Sequence, residues 1–264
     1  MQMIRSLVFN ASMYIWMGVL GIVGLPYMLL FPDGARRVMD LYARSTIRMC
    51  SALTGLRCEV RGTVPTGGVL VAAKHQSFHD VLALWSAVPR GFFIMKSILR
   101  FAPVLGQYAM RAGCIPVRRG RRGEAIKQML AELKSGRRED GQLMIYPQGT
   151  RVAPGVQRPY KVGTFALYEQ LGQPCVPVAT NVGLFWPKRG VLRKPGLAVI
   201  EFLAPIPPGL DRTTFMTVLE ARIETASNRL MEEAGFPVTP HPPAEGDPVG
   251  AAVADVVRPG QAKT

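Results

Sequence analysis

Acidic residues, histidines and cysteines are all scarce in this chain, and each scarcity removes a class of function. Only 18 Asp and Glu stand against 32 Lys and Arg, giving a formal charge of +14 at pH 7. Such a balance disfavours cationic partners and favours nucleic acid, anionic lipid headgroups, phosphorylated substrates or an acidic carrier protein. The basic residues are scattered, with a local cluster from Arg118 to Arg122, and neither an aromatic-interleaved RNA signature nor a helix-turn-helix pattern accompanies them. Nucleic acid is therefore set aside as a partner. Cys50, Cys58, Cys114 and Cys175 are dispersed without C-x-x-C spacing, which excludes a disulfide framework or a thiolate zinc site and suits reduced packing residues of a cytoplasmic body. His75 and His79 have the i, i+4 spacing of metal-binding helices, but Gln76 stands where such a helix carries Glu and His241 lies far off in the C-terminal tail, so no metal is expected. No G-x-S-x-G elbow and no internal repeat is present, which argues against a serine hydrolase and against a solenoid.

Charge is missing altogether between Ser6 and Phe31, a stretch dominated by Leu, Val, Ile, Met, Tyr and Trp. That run exceeds the roughly 20 residues needed to cross a bilayer core. It is long for the apolar region of a signal peptide, and no small-x-small cleavage site precedes Arg36 and Arg37. Asn10, Ser12, the glycines and Pro26 weaken a straight spanning helix, so an interfacial or re-entrant anchor stands beside a spanning one. Next come Arg36, Arg37, Arg44 and Arg48, with Val38, Leu41, Tyr42, Met49 and Leu53 at helical spacing. This amphipathic second helix suits either an anionic leaflet or packing on the protein body.

Beyond Gly55, short β-like runs alternate with helical runs, the pattern of an α/β fold with a largely parallel sheet flanked by helices. Candidate strands are 56–60, 69–73, 92–95, 114–117, 143–146, 175–181 and 197–203; candidate helices are 81–88, 103–112, 123–134, 162–171 and 213–234. The expected organisation is an N-terminal membrane-anchoring helical segment over 1–54, one catalytic body over 55–236, and a Pro-, Gly- and Ala-rich tail over 237–264 that reads as disordered.

Four runs stand out, three for their chemistry. In Lys74-His75-Gln76-Ser77-Phe78-His79-Asp80, a base and a carboxylate follow an apolar strand. Positions five apart on one helix are rotated by about 140°, so His75 belongs in the turn after the strand and Asp80 in the first turn of the next helix. There the carboxylate can fix the imidazole tautomer and leave its other nitrogen free to take a proton from an attacking alcohol. Tyr146-Pro147-Gln148-Gly149-Thr150-Arg151 also follows a strand and combines close backbone approach, a hydroxyl and a guanidinium, which is phosphate-binding chemistry. Gly113 to Gly120 runs a strand into Arg118 and Arg119, with Arg121 and Arg122 beyond; Val176-Pro177-Val178-Ala179 reads as a buried strand forming a wall.

These runs, in this order and spacing, resemble the glycerolipid acyltransferase family, whose members carry NHxxxxD, GxxxxxR, FPEGTR and a VPV-type strand, and the likeness spans about residues 56–203. The segment around the first block resembles the bacterial 1-acyl-glycerol-3-phosphate acyltransferases. The resemblance implies transfer of a fatty acyl group from acyl carrier protein or coenzyme A thioester to the sn-2 hydroxyl of lysophosphatidic acid, with no cofactor. It also implies action at the membrane phospholipid bilayer, on the inner membrane with the catalytic body facing the cytoplasm. Carried over by position, His75 is the base and Asp80 its orienting carboxylate, while Arg119, Gly149, Thr150 and Arg151 contact the acceptor phosphate, with Lys96 as a further cation. Lys74 stands where Asn is common, Gln148 where Glu is usual and Tyr146 where Phe is usual. Gln148 cannot ionise, which leaves open lyso-ornithine lipid or another lysophospholipid as acceptor. A membrane-anchored anionic-lipid-binding module without chemistry is the remaining alternative.

Overall fold

The computed structural model describes residues 1–117 and 141–238. The expected helix over 123–134, Arg119 with its neighbouring arginines, and residues 239–264 of the expected tail lie outside the described residues. In chain order the helices are α1 (Gln2–Val23), α2 (Leu25–Leu30), α3 (Gly34–Thr54), α4 (His79–Ala87), α5 (Leu105–Arg111), α6 (Gly163–Leu171) and α7 (Arg212–Glu233). The strands are β1 (Leu56–Arg61), β2 (Val69–Ala73), β3 (Gly91–Lys96), β4 (Ile115–Val117), β5 (Gln142–Ile145), β6 (Cys175–Thr180) and β7 (Gly196–Phe202). They form one sheet in the order β1-β7-β6-β2-β5-β3-β4. Neighbours pair in parallel except β6 and β7, which are antiparallel. The sheet is thus mixed and largely parallel, with helices packed on it.

Burial follows position in that order. β2 and β6 are buried at every residue, as central strands covered on both faces must be. Pro177 sits within β6 despite lacking an N–H. Its carbonyl accepts the Leu203 N–H at 2.9 Å, so the missing donor falls on that same side, before the ladder with β7 begins at Val178. On one face Val71, Leu84, Trp85 and Met144 build a core with α4; on the other Leu70, Leu143, Tyr168, Phe215 and Ile223 build a second with α6 and α7. Helix α7 begins at Asp211, whose side chain accepts the N–H groups of Thr213 and Thr214, a side-chain cap.

The uncharged N-terminal stretch is not one straight helix. Gly24 breaks it before Pro26, which occupies the first turn of α2 where its missing N–H costs nothing. Helix α1 is long and apolar enough to cross a membrane by length and composition. Its amphipathicity runs opposite to that of a soluble helix. Gln2 donates to the carbonyls of Thr54 and Arg193 at 2.9 and 2.7 Å, the Ser6 hydroxyl accepts the Arg193 N–H at 2.9 Å, and Asn10 accepts from the Arg193 guanidinium at 2.7 Å. Those polar residues share one face and dock on the protein. Ile4, Leu7, Val8, Ile15, Val19, Ile22 and Val23 are exposed on the rest. Phe9 and Met13, by contrast, are buried with Leu56, Val182 and Trp186, so α1 is packed against the sheet as well as against α3.

Candidate active site

β2 and β5 are parallel neighbours, Val69 opposite Gln142 through Ala72 opposite Ile145. Their carboxyl ends therefore open on the same edge, where open α/β sheets place their sites. The chain leaving β2 carries His75, the chain leaving β5 carries Tyr146 to Arg151, and the Val152 N–H donates to the His75 carbonyl at 2.8 Å, joining the two. Residues distant in sequence meet because of this pairing.

His75 lies in the turn before α4, and Asp80 is the second residue of that helix. His75 Nδ1 stands 2.8 Å from Asp80 Oδ1. The other oxygen, Oδ2, accepts the N–H groups of Gln76 and Ser77 at 2.8 and 2.7 Å. With both oxygens engaged the fully buried carboxylate is fixed in rotation, and an imidazole nitrogen facing it carries the proton. Nε2 is left as an acceptor on a ring that retains 16% exposure. Tyr146 stacks on that ring, centroids 3.9 Å apart and planes 15° from parallel, and its hydroxyl donates to Asp80 Oδ1 at 3.2 Å. Burial, then the negative charge of Asp80, pushes the Tyr146 phenol well above the ordinary tyrosine range, so it is a donor at all working pH.

Tyr146 also begins a tight turn. The Gly149 N–H donates to the Tyr146 carbonyl at 2.8 Å, with Pro147 second and Gly149 fourth, the places such turns favour. Gly149 has φ +68°, and a Cβ there would come within 2.7 Å of Lys161 Nζ. Glycine thus permits both the backbone shape and the approach of a cation. Lys188 Nζ donates to the Arg151 carbonyl at 2.9 Å. Thr150 and Arg151 are half-buried, and Lys96 is exposed at the end of β3, two strands from β2. Arg119 lies outside the described residues. Lys161 and Lys188 escaped the sequence reading because neither sits near a motif or on a periodic face.

Lys74 and Gln148, two departures from the family pattern, do not face the His75 ring. Both reach inward to Glu224 on α7. An acid among apolar helix positions is a weak sequence signal, and Glu224 was missed.

A narrow apolar cleft, partly open to solvent, lies between α1, α3, α4 and α5. Its wall includes Phe78, from the His75 turn, and Phe93, which stacks on Tyr146 with centroids 5.7 Å apart, so Tyr146 stands between the end of the cleft and the imidazole. Val104 closes part of it in a strained backbone conformation, φ +64°, and only glycine at position 21 of α1 admits its side chain: a Cβ there would stand 2.2 Å from Val104 Cγ1. His79 is fully buried, edge-on to Trp186 with ring centroids 5.7 Å apart. Neither of its ring nitrogens has a hydrogen-bond partner among the described residues, and burial pulls its pKa down to about 4. No group of three or more His, Cys, Asp or Glu among the described residues could hold a metal ion.

The pattern of the Acyltransferase family matches residues 56–181, from β1 to just past β6. A 1-acyl-sn-glycerol-3-phosphate acyltransferase of Pseudomonas aeruginosa is 30% identical over 206 residues, covering 74% of this chain and 77% of that protein. The alpha form of the same enzyme from Mus musculus is 28% identical over 197 residues, covering 72% and 68%. In fold, the chain resembles the crystal structure of the 1-acyl-sn-glycerophosphate acyltransferase PlsC from Thermotoga maritima, with a TM-score of 0.73 at 19% identity over 90% of this chain and 98% of that one. The chain therefore belongs to the glycerolipid acyltransferase family and is an O-acyltransferase.

Proposed function

We propose that the enzyme moves a fatty acyl group from a thioester of acyl carrier protein or coenzyme A to the sn-2 hydroxyl of 1-acyl-glycerol-3-phosphate, giving phosphatidic acid. The observation that carries this reading is the His75–Asp80 pair, set on one sheet edge beside the cationic turn of Gly149 to Arg151. His75 Nε2 takes the hydroxyl proton as the oxygen attacks the thioester carbonyl, and Asp80 stabilises the imidazolium. The new C–O bond forms, the C–S bond breaks, and the departing thiolate recovers the proton from His75. No acyl-enzyme and no cofactor is required. Arg151, the Gly149 and Thr150 backbone, and Lys161 hold the acceptor phosphate, with Lys96 and Arg119 as further cations; binding there sets the hydroxyl in register with the base. The apolar cleft ending at Phe78 and Phe93 suits the donor's acyl chain, whose burial supplies binding energy far from the reacting atoms.

The apolar outer face of α1, continued by exposed Leu25, Leu29, Leu30 and Phe31 and by Ile98 and Phe101, suits insertion into a bilayer with the sheet on the cytoplasmic side of the inner membrane. The experiment supplies purified enzyme in vesicles with labelled acyl thioester and a panel of lysolipids. Phosphatidic acid from lysophosphatidic acid, abolished in His75→Ala, is expected. Product only from lyso-ornithine lipid would overturn the acceptor assignment.

A further inference from the structure

The turn carrying His75 and the turn carrying Gly149 to Arg151 are tied together beneath the site by one buried charge. Lys74, 3% exposed, donates from Nζ to both oxygens of Glu224 at 2.6 and 2.5 Å. Glu224 Oε1 also accepts the Tyr160 hydroxyl at 2.9 Å and the Gln148 side-chain NH2 at 3.4 Å. That same NH2 donates to the Arg158 carbonyl at 3.3 Å. Burial, then Glu224, raises the Tyr160 phenol well above its ordinary range, so it too remains a donor.

We propose that Glu224, remote from the reacting atoms, is a positioning residue for acyl transfer: it clamps Lys74, one residue before His75, and Gln148, one residue before Gly149, to helix α7, and it does so only while position 148 is uncharged. The proposal rests on the acyltransfer reading of the site. Its chemistry is local. Position 148 faces two acceptors, a carboxylate oxygen and a carbonyl, so the group there must be a donor. The Gln amide meets that demand, and a Glu at 148 would set a second carboxylate against Glu224 with one ammonium to share. Among the described residues, Lys74 has its buried charge balanced within hydrogen-bond distance by Glu224 alone; removing that acid takes away this partner, which drives the chain before His75 to rearrange.

The test is a charge exchange. Gln148→Glu and Glu224→Gln are made singly and together, and acyl transfer, acceptor KM and melting temperature are measured for each. Either single replacement should lower kcat/KM about 100-fold and raise acceptor KM, the scale expected when reacting groups are misplaced by about 1 Å. The double replacement removes the clash of two carboxylates but leaves the new one at 148 facing the Arg158 carbonyl, so it should recover part of the loss and be at least about tenfold better than the product of the singles, a coupling between adjacent groups. A double variant as impaired as the product of the singles would overturn the proposal. So would single variants whose kcat falls only in step with the folded fraction while acceptor KM stays fixed, since that is a structural role alone. If the parent acylates no lysolipid, the functional reading fails separately; the melting temperatures still report the unit, and additive shifts across the cycle would refute it.

Discussion

Replacing Asp80 with Asn exchanges one oxygen for an NH2 group, and the structure dictates which way the new amide must face. On one side stand the N–H groups of Gln76 and Ser77, 2.8 and 2.7 Å from Oδ2. Two donors there require the amide oxygen, so the NH2 turns to His75 Nδ1 and to the Tyr146 hydroxyl. An NH2 at that place demands an acceptor on the ring; the imidazole proton moves to Nε2, and the nitrogen that should take the alcohol proton is blocked. The fold survives because both loop N–H groups keep their acceptor. Turnover should therefore fall by about 10³- to 10⁴-fold, the full worth of a positioned base, or about 4–5 kcal/mol of barrier. Acceptor KM should change little, since the cationic turn after β5 is untouched. Steady-state release of free thiol from an acyl thioester, with a thermal melt to show cooperative folding, reads both quantities. A loss of tenfold or less in a folded protein would refute the assignment of His75 as the base and of Asp80 as the group that sets its tautomer.

Three further outcomes follow from the same geometry. His79 is buried neutral with its pKa pulled down to about 4 from 6.5, so the unfolded chain binds a proton that the folded one refuses; stability is complete above pH 6.5 and declines by ~3 kcal/mol as the pH falls toward 4. His79→Phe keeps a ring against Trp186 and should flatten that decline in melting temperature; an unchanged slope would show that other groups cause it. Lys161→Ala and Arg151→Ala should each raise the KM for the lysolipid about tenfold with a smaller change in kcat; a loss confined to kcat would remove them from phosphate binding. Met39→Trp, which narrows the cleft, should penalise long-chain thioesters over short ones, by about tenfold for every two methylenes shut out; equal loss for all chain lengths would place the acyl chain elsewhere.

Much of the fold was legible because its signals are local. The continuous apolar runs of β2 and β6 mark strands covered on both faces, and the single residue between Lys74 and Gln76 could be assigned to a turn because helical rotation kept His75 from Asp80 on one helix. The helix starts and ends are displaced by only a residue or two: α4 begins at His79 rather than Val81, since Asp80 must already sit in the first turn to accept two N–H groups from the loop before it. Other features had no local signal. The polar face of α1 looked like a weakness in a membrane segment, and proved to be what docks it on Arg193. Lys161 and Lys188 reach the Gly149 turn across chain crossings that no spacing encodes.

Read by itself, the amino-acid order determined the alternation of strands and helices, the presence of a base and a carboxylate after one strand, and the presence of a phosphate-type turn after another. These depend on propensity, burial and the reach of neighbouring residues. Only tertiary structure decided that the two turns face each other, because adjacency of β2 and β5 is a property of sheet order, set by packing energies summed over the whole chain. It likewise decided that Tyr146 lies flat on His75 and that Lys74 and Gln148 converge on Glu224, since contact between side chains far apart in sequence exists only once the backbone has brought them within hydrogen-bond distance.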